Sequence, residues 1–128
     1  MQLSLPLVLA VAGGGACGAL LRYGAGQWIA SRYDGLWPLS TLLVNLLGAF
    51  AIGLCFALIY ERAIVDERWA PFLVAGLLGS LTTFSTFSLE TLSLIQRGEI
   101  GIALAYSLGS VILCVLLTYL GVLVVRAL

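Results

Sequence analysis

Four apolar stretches, at about 3–21, 39–60, 69–95 and 100–125, take up most of the 128 residues, and only short polar connectors divide them. Each is close to or above the roughly 20 residues that an α-helix needs to cross a hydrocarbon core about 30 Å thick. Without water a backbone must satisfy its own N–H and C=O groups, so stretches this apolar are expected to be helices. The charge content agrees, since 9% of residues are charged and 62% hydrophobic, whereas soluble domains carry about a quarter charged. The expected fold class is therefore an all-α integral membrane protein, one transmembrane domain over 1–128 with four helices in the lipid bilayer and no length for a soluble domain.

Several function classes fall away. The six arginines are matched by six acidic residues and there is no lysine or histidine, so the basic footprint that nucleic-acid binding requires is missing. No nucleophile–base pair or metal cluster appears, which argues against an enzyme. Cys17, Cys55 and Cys114 each sit in a different apolar stretch without metal-ligand spacing, and read as buried thiols. The run from Leu3 to Ala12, with Ala10-Val11-Ala12 behind it, resembles a secretion signal. Yet no Lys or Arg precedes Arg22 and the run continues to Leu21, so a retained helix is expected.

The polar residues inside the apolar stretches are the informative ones. Gly79-Ser80-Leu81-Thr82-Thr83-Phe84-Ser85-Thr86-Phe87-Ser88 lies near the middle of the third stretch. Glycine lacks a Cβ, and Ser and Thr can take over backbone hydrogen bonds, so a third helix broken near its middle is expected here. Interrupted membrane helices mark ion and substrate sites. Phe84 and Phe87 share a side at helical spacing; they either pack against apolar neighbours or present electropositive ring edges to an anion. Thr41 and Asn45 share a face of the second helix, and Asn45 reads either as an interhelical hydrogen bond or as the lining of a site. Glu90 is the one carboxylate in an apolar stretch, either a gating or vestibule group or one that snorkels to the interface. On the fourth helix Tyr106, Ser110, Cys114 and Thr118 recur every four residues as a polar stripe, and Gly101, Ala105 and Gly109 form a small-residue ridge. Gly14 and Gly18 make a G-x-x-x-G pair for close helix contact, and Arg22-Tyr23 is expected at the water boundary.

With four spans, Arg22, Arg32 and Arg97 fall on one side and Arg62, Arg68 and Arg126 on the other. A chain without positive bias is expected to insert both ways, and inverted copies can pair about a two-fold axis.

The blocks from Gly13-Gly14 to Arg22-Tyr23, from Thr41 to Gly48, and from Gly79 to Ser88 resemble the signature blocks of the CrcB/Fluc fluoride channel family. That resemblance implies an antiparallel, dual-topology homodimer in the bacterial inner membrane, with two pores through which fluoride leaves the cell passively and electrogenically. It also implies a structural sodium ion (Na+) on the two-fold axis, held by backbone carbonyls for which Gly79 and Thr82 are the matching positions. Carried over by motif, Asn45, Phe84, Phe87, Tyr106, Ser110, Thr83 and Thr41 would line the pore, and Arg22 and Glu90 would serve a vestibule or gate. Ser40, Ser80 and Cys114 depart from the family's usual residues; Ser80 stands beside the expected sodium position. Residue chemistry by itself reaches only a small polar or anionic permeant. The alternative is a small multidrug-type, dual-topology proton-coupled exporter, which would need a carboxylate deep in the first helix, and none is there.

Overall fold

The structure, a computed structural model, describes residues 4–128. Leu3, the expected start of the first span, lies outside them. Helix α1 is Leu5–Ala30, α2 runs Leu39–Glu61 with its last turn wound more widely, α3 covers 71–81, α4 is Phe84–Gln96 and α5 is Ile100–Arg126. The third crossing, Glu67–Gln96, combines a short helical turn at Glu67–Trp69 with α3 and α4, so four segments are long and apolar enough to cross a membrane.

Helix boundaries follow local chemistry. Pro38 precedes α2 and Pro71 opens α3, positions where the missing proline N–H removes no intrahelical bond. Gly98, at φ +80°, lets the chain turn from α4 into α5, a left-handed conformation that glycine adopts without steric cost. In the second connector Asp66 caps the Glu67–Trp69 turn by accepting from the Arg68 backbone N–H at 2.9 Å, and the Arg68 guanidinium holds its carboxyl down to about 2. Arg126 closes the other end, pairing with Glu61 at 2.6 Å, while Arg62 donates to the Arg126 carbonyl at 2.7 Å. This ties the end of α2 to the end of α5.

Two close helix pairs build the molecule, α1 on α3 and α2 on α5. The Gly14/Gly18 pair makes the first. A Cβ at Gly14 would strike the Phe72 carbonyl oxygen, and one at Gly18 the Leu77 carbonyl oxygen. Gly76 answers from the other side, within 2.7 Å of the Val11 carbonyl by the same measure. Backbones this close gain dispersion contacts, the attraction available where lipid is as apolar as leucine. Gly53 and Gly121 do the same for α2 and α5. The ridge of Gly101 and Gly109 behaves differently, because an added Cβ at either meets nothing within 4 Å.

Helix α1 continues well past Leu21, the expected end of the first span. Arg22 therefore lies inside the helix, about 12 Å from its C-terminal end at 1.5 Å per residue.

Candidate functional site

Between α3 and α4, Thr82 (φ −81°, ψ 154°) and Thr83 (φ −148°, ψ 123°) are extended. Thr82 still donates its N–H to the Leu78 carbonyl at 3.1 Å, but Thr83 has left the helical pattern, so its polar groups need other partners. Asn45 on α2 supplies them twice: its Oδ1 accepts from the Thr83 N–H at 2.8 Å, and its Nδ2 donates to the Thr83 carbonyl at 3.1 Å. One side chain thus replaces both backbone partners of Thr83, and one Nδ2 hydrogen is left over. Thr83 also caps α4, its Oγ1 accepting from the Thr86 N–H at 3.3 Å. Thr82 Oγ1 donates to the Leu78 carbonyl at 2.9 Å. Gly48 makes room for Thr82, whose methyl group occupies the space that a Cβ at residue 48 would need.

Because Thr83 N–H turns to Asn45, the Gly79 carbonyl has lost its regular donor. The Thr82 carbonyl has lost its own as well, since Thr86 N–H turns to the Thr83 hydroxyl. Carbonyl oxygens freed in this way are hard donors of the kind that a cation such as sodium takes. The Ser80 side chain faces Gly15 of α1, and its carbonyl accepts from Arg22 Nε at 3.0 Å, a cation placed at the negative end of the α3 dipole.

A groove of ≈ 360 Å³ opens alongside, lined by Asn45, Thr82, Thr83, Phe84, Phe87, Ser110, Cys114 and Thr118 among others. Its floor is one face of α5, which brings three members of the polar stripe into it. Ser110 is 6% exposed and its Oγ has no hydrogen-bond partner among the described residues. The rings of Phe84 and Phe87 are 5.4 Å apart, and Phe87 stands 5.2 Å from Tyr106. The two phenylalanines differ sharply in setting, Phe87 being 9% and Phe84 76% exposed.

Beyond Phe87 lies a second polar cluster. Glu90 Oε1 accepts from Thr41 Oγ1 at 2.7 Å and Glu90 Oε2 from the Tyr106 hydroxyl at 2.7 Å. These short bonds turn the carboxylate inward, onto α2 and α5, and not along a snorkelling path to the interface. A charge in hydrocarbon is tolerated when donors of this strength meet it.

The groove thus gathers Asn45, Gly79, Thr82, Thr83, Phe84, Phe87 and Ser110, whereas Thr41, Glu90 and Tyr106 bond to one another outside its lining, beyond Phe87. Arg22 stands apart from the groove and reaches the 82–83 interruption from α1. The sequence pattern did not reveal that Tyr106 spends its hydroxyl on Glu90 instead of the stripe, or that Asn45 and Thr83 form a reciprocal pair.

A family described as "CrcB-like protein, Camphor Resistance (CrcB)" matches residues 9–122. A protein of Thermus thermophilus named "Fluoride-specific ion channel FluC" is 51% identical over 113 residues, 88% of this chain and 88% of that protein. Proteins of the same name are 49% identical in Magnetococcus marinus, over 91% of this chain and 94% of the relative, and 47% identical in Paracoccus denitrificans, over 94% of each.

Proposed function

The chain belongs to the CrcB-like family, and from that membership we propose that it is a fluoride-selective channel of the bacterial inner membrane. It lets fluoride leave the cytoplasm down its electrochemical gradient. It is not an enzyme: its work is to offer an ion a path, with no bond made or broken.

The observation that carries the reading is the groove beside Thr82 and Thr83, where dipoles converge and no lining side chain is charged. A bare fluoride ion in a low-dielectric medium would cost tens of kcal/mol, so donors must replace its water shell. The spare Nδ2 hydrogen of Asn45 and the unpartnered Ser110 hydroxyl are such donors. The edges of Phe84 and Phe87 add electropositive rim where no hydroxyl stands. The N-terminus of α4, which begins at Phe84, adds its positive dipole end. None of these is a full charge, which suits a permeant that must also leave. Thr41 and Tyr106 hold Glu90 next to the Phe87 ring, where the carboxylate can regulate passage by repelling or admitting an anion.

The pore is completed by an antiparallel second copy. Phe84 is largely exposed in one chain and the groove is open on its side, so a partner must supply the missing wall. Two inverted copies then share two pores, and the near-even distribution of arginines between the connectors permits both orientations. The freed carbonyls of Gly79 and Thr82 would hold the structural sodium ion, which supplies positive charge that binds the two interruptions together. Arg22, on the Ser80 carbonyl, steadies the same turn from the vestibule side.

Purified protein in liposomes tests this. Fluoride release followed with a fluoride electrode is expected to start on addition of a potassium ionophore that discharges the membrane potential, with no proton gradient applied. Release that depends on a proton gradient would instead indicate a coupled exporter.

A further inference from the structure

We propose that Cys114 sets the rate at which fluoride moves along α5, because it is a weak hydrogen-bond donor standing between the free hydroxyl of Ser110 and the committed hydroxyl of Thr118. The inference rests on the channel reading above and deepens it.

Four polar side chains recur along this face of α5, but two have their hydrogens engaged within the chain. The Tyr106 hydroxyl donates to Glu90 Oε2 at 2.7 Å. The Thr118 hydroxyl is directed at the carbonyls of Ala49 and Cys114, 2.9 and 3.0 Å away. A hydroxyl so committed turns its lone pairs outward, and lone pairs repel an anion.

Ser110 and Cys114 remain, one helical turn apart and both lining the groove. Ser110 is buried with its Oγ unpartnered among the described residues. A buried hydroxyl without a partner calls for a ligand to explain it, and a passing anion supplies one. Cys114 is a free thiol, half-buried, and an S–H is a much weaker donor than an O–H. An ion leaving Ser110 therefore meets a weak donor and then a hydroxyl that faces away. The passage from Ser110 past Cys114 is the slow one.

The test compares fluoride release from liposomes containing the wild type, Cys114→Ser and Cys114→Ala. Serine has nearly the same size and restores an O–H, so release is expected to be about fivefold faster, whereas alanine, with no donor, slows it by a similar factor. In a Cys17→Ala/Cys55→Ala background, methyl methanethiosulfonate is expected to slow release through Cys114 and to leave Cys114→Ser unaffected. That arm needs no substitution at residue 114 to fold in order to read accessibility. Equal rates in all three proteins, or no effect of the reagent, would overturn the proposal while leaving the channel reading intact. A faster Cys114→Ala than Cys114→Ser would overturn it too, by showing that bulk and not donor strength is limiting. A wild type that releases no fluoride would defeat the channel reading itself, and this inference with it.

Discussion

Replacing Asn45 by alanine removes a side chain that is hydrogen-bonded to both polar groups of the Thr83 backbone, at 2.8 and 3.1 Å. Because residues 82 and 83 are extended, neither group has a helical partner to return to, and the surrounding hydrocarbon provides no water. Leaving a buried donor or acceptor unpaired costs about 1–3 kcal/mol each. Measured interhelical hydrogen bonds in membranes average only ~0.6 kcal/mol, since the unfolded state finds partners too. For two groups held in one rigid geometry, about 2–3 kcal/mol is therefore expected for Asn45→Ala. Asn45→Asp keeps the acceptor for Thr83 N–H but sets an oxygen against the Thr83 carbonyl, so it should destabilise at least as much despite its matching shape. Reversible unfolding in mixed micelles, followed by tryptophan fluorescence, would measure both. An Asn45→Ala protein within about 0.5 kcal/mol of wild type would refute the reasoning, because it would mean that the interruption satisfies itself.

Other consequences separate packing from permeation. Phe87, 9% exposed, is part of the core, so Phe87→Ala should lower stability by about 3 kcal/mol; Phe84, 76% exposed in the single chain, should cost under ~1 kcal/mol in the monomer, yet both substitutions are expected to abolish fluoride release, and unaltered release in both would remove the rings from the path. Gly18→Leu drives a side chain into the Leu77 carbonyl, and because backbone cannot yield it should destabilise by roughly 2 kcal/mol or more, read as loss of the folded species in size-exclusion chromatography; a normal elution profile would contradict the close contact of α1 with α3. Asp66 titrates at about 2, below its ordinary 3.8, so the stabilisation from its cap and ion pair is present above 3.8 and disappears as pH falls through about 2; carboxyl chemical shifts from ¹³C-labelled aspartate would follow it, and a midpoint near 3.8 would show that the contact with Arg68 does not persist in solution.

Much of the architecture could be read from the chain because hydrophobic length and glycine spacing act locally. The four crossings follow from apolar runs that only a helix can accommodate in lipid, and Gly14 and Gly18 predict the approach of α1 to a partner without naming it. The Gly101/Gly109 ridge shows the limit of that argument, since on α5 the same pattern leaves open space at both glycines among the described residues. Helix α1 runs on past Arg22 to Ala30, an extent that the apolar run alone does not give. A carbonyl at the end of α3, distant in sequence, accepts the Arg22 Nε and allows the helix to continue. Side-chain pairing was the least legible part. Periodicity places Tyr106 on one face with Ser110, but whether a hydroxyl serves a path or a neighbour depends on which acceptor the tertiary fold delivers, here Glu90. Asn45 was open to two readings for the same reason: its amide makes the interhelical bridge, to Thr83, and the residue also borders the groove.

The measurement closest to the central claim is the reversal potential of the pure protein in a planar bilayer, with unequal fluoride on the two sides and equal pH. A path lined by neutral dipoles and aromatic edges that selects fluoride predicts a zero-current voltage at the fluoride equilibrium potential, unmoved when chloride is made asymmetric instead. A zero-current voltage that follows chloride or the proton gradient, or the absence of any current under a fluoride gradient, would contradict it.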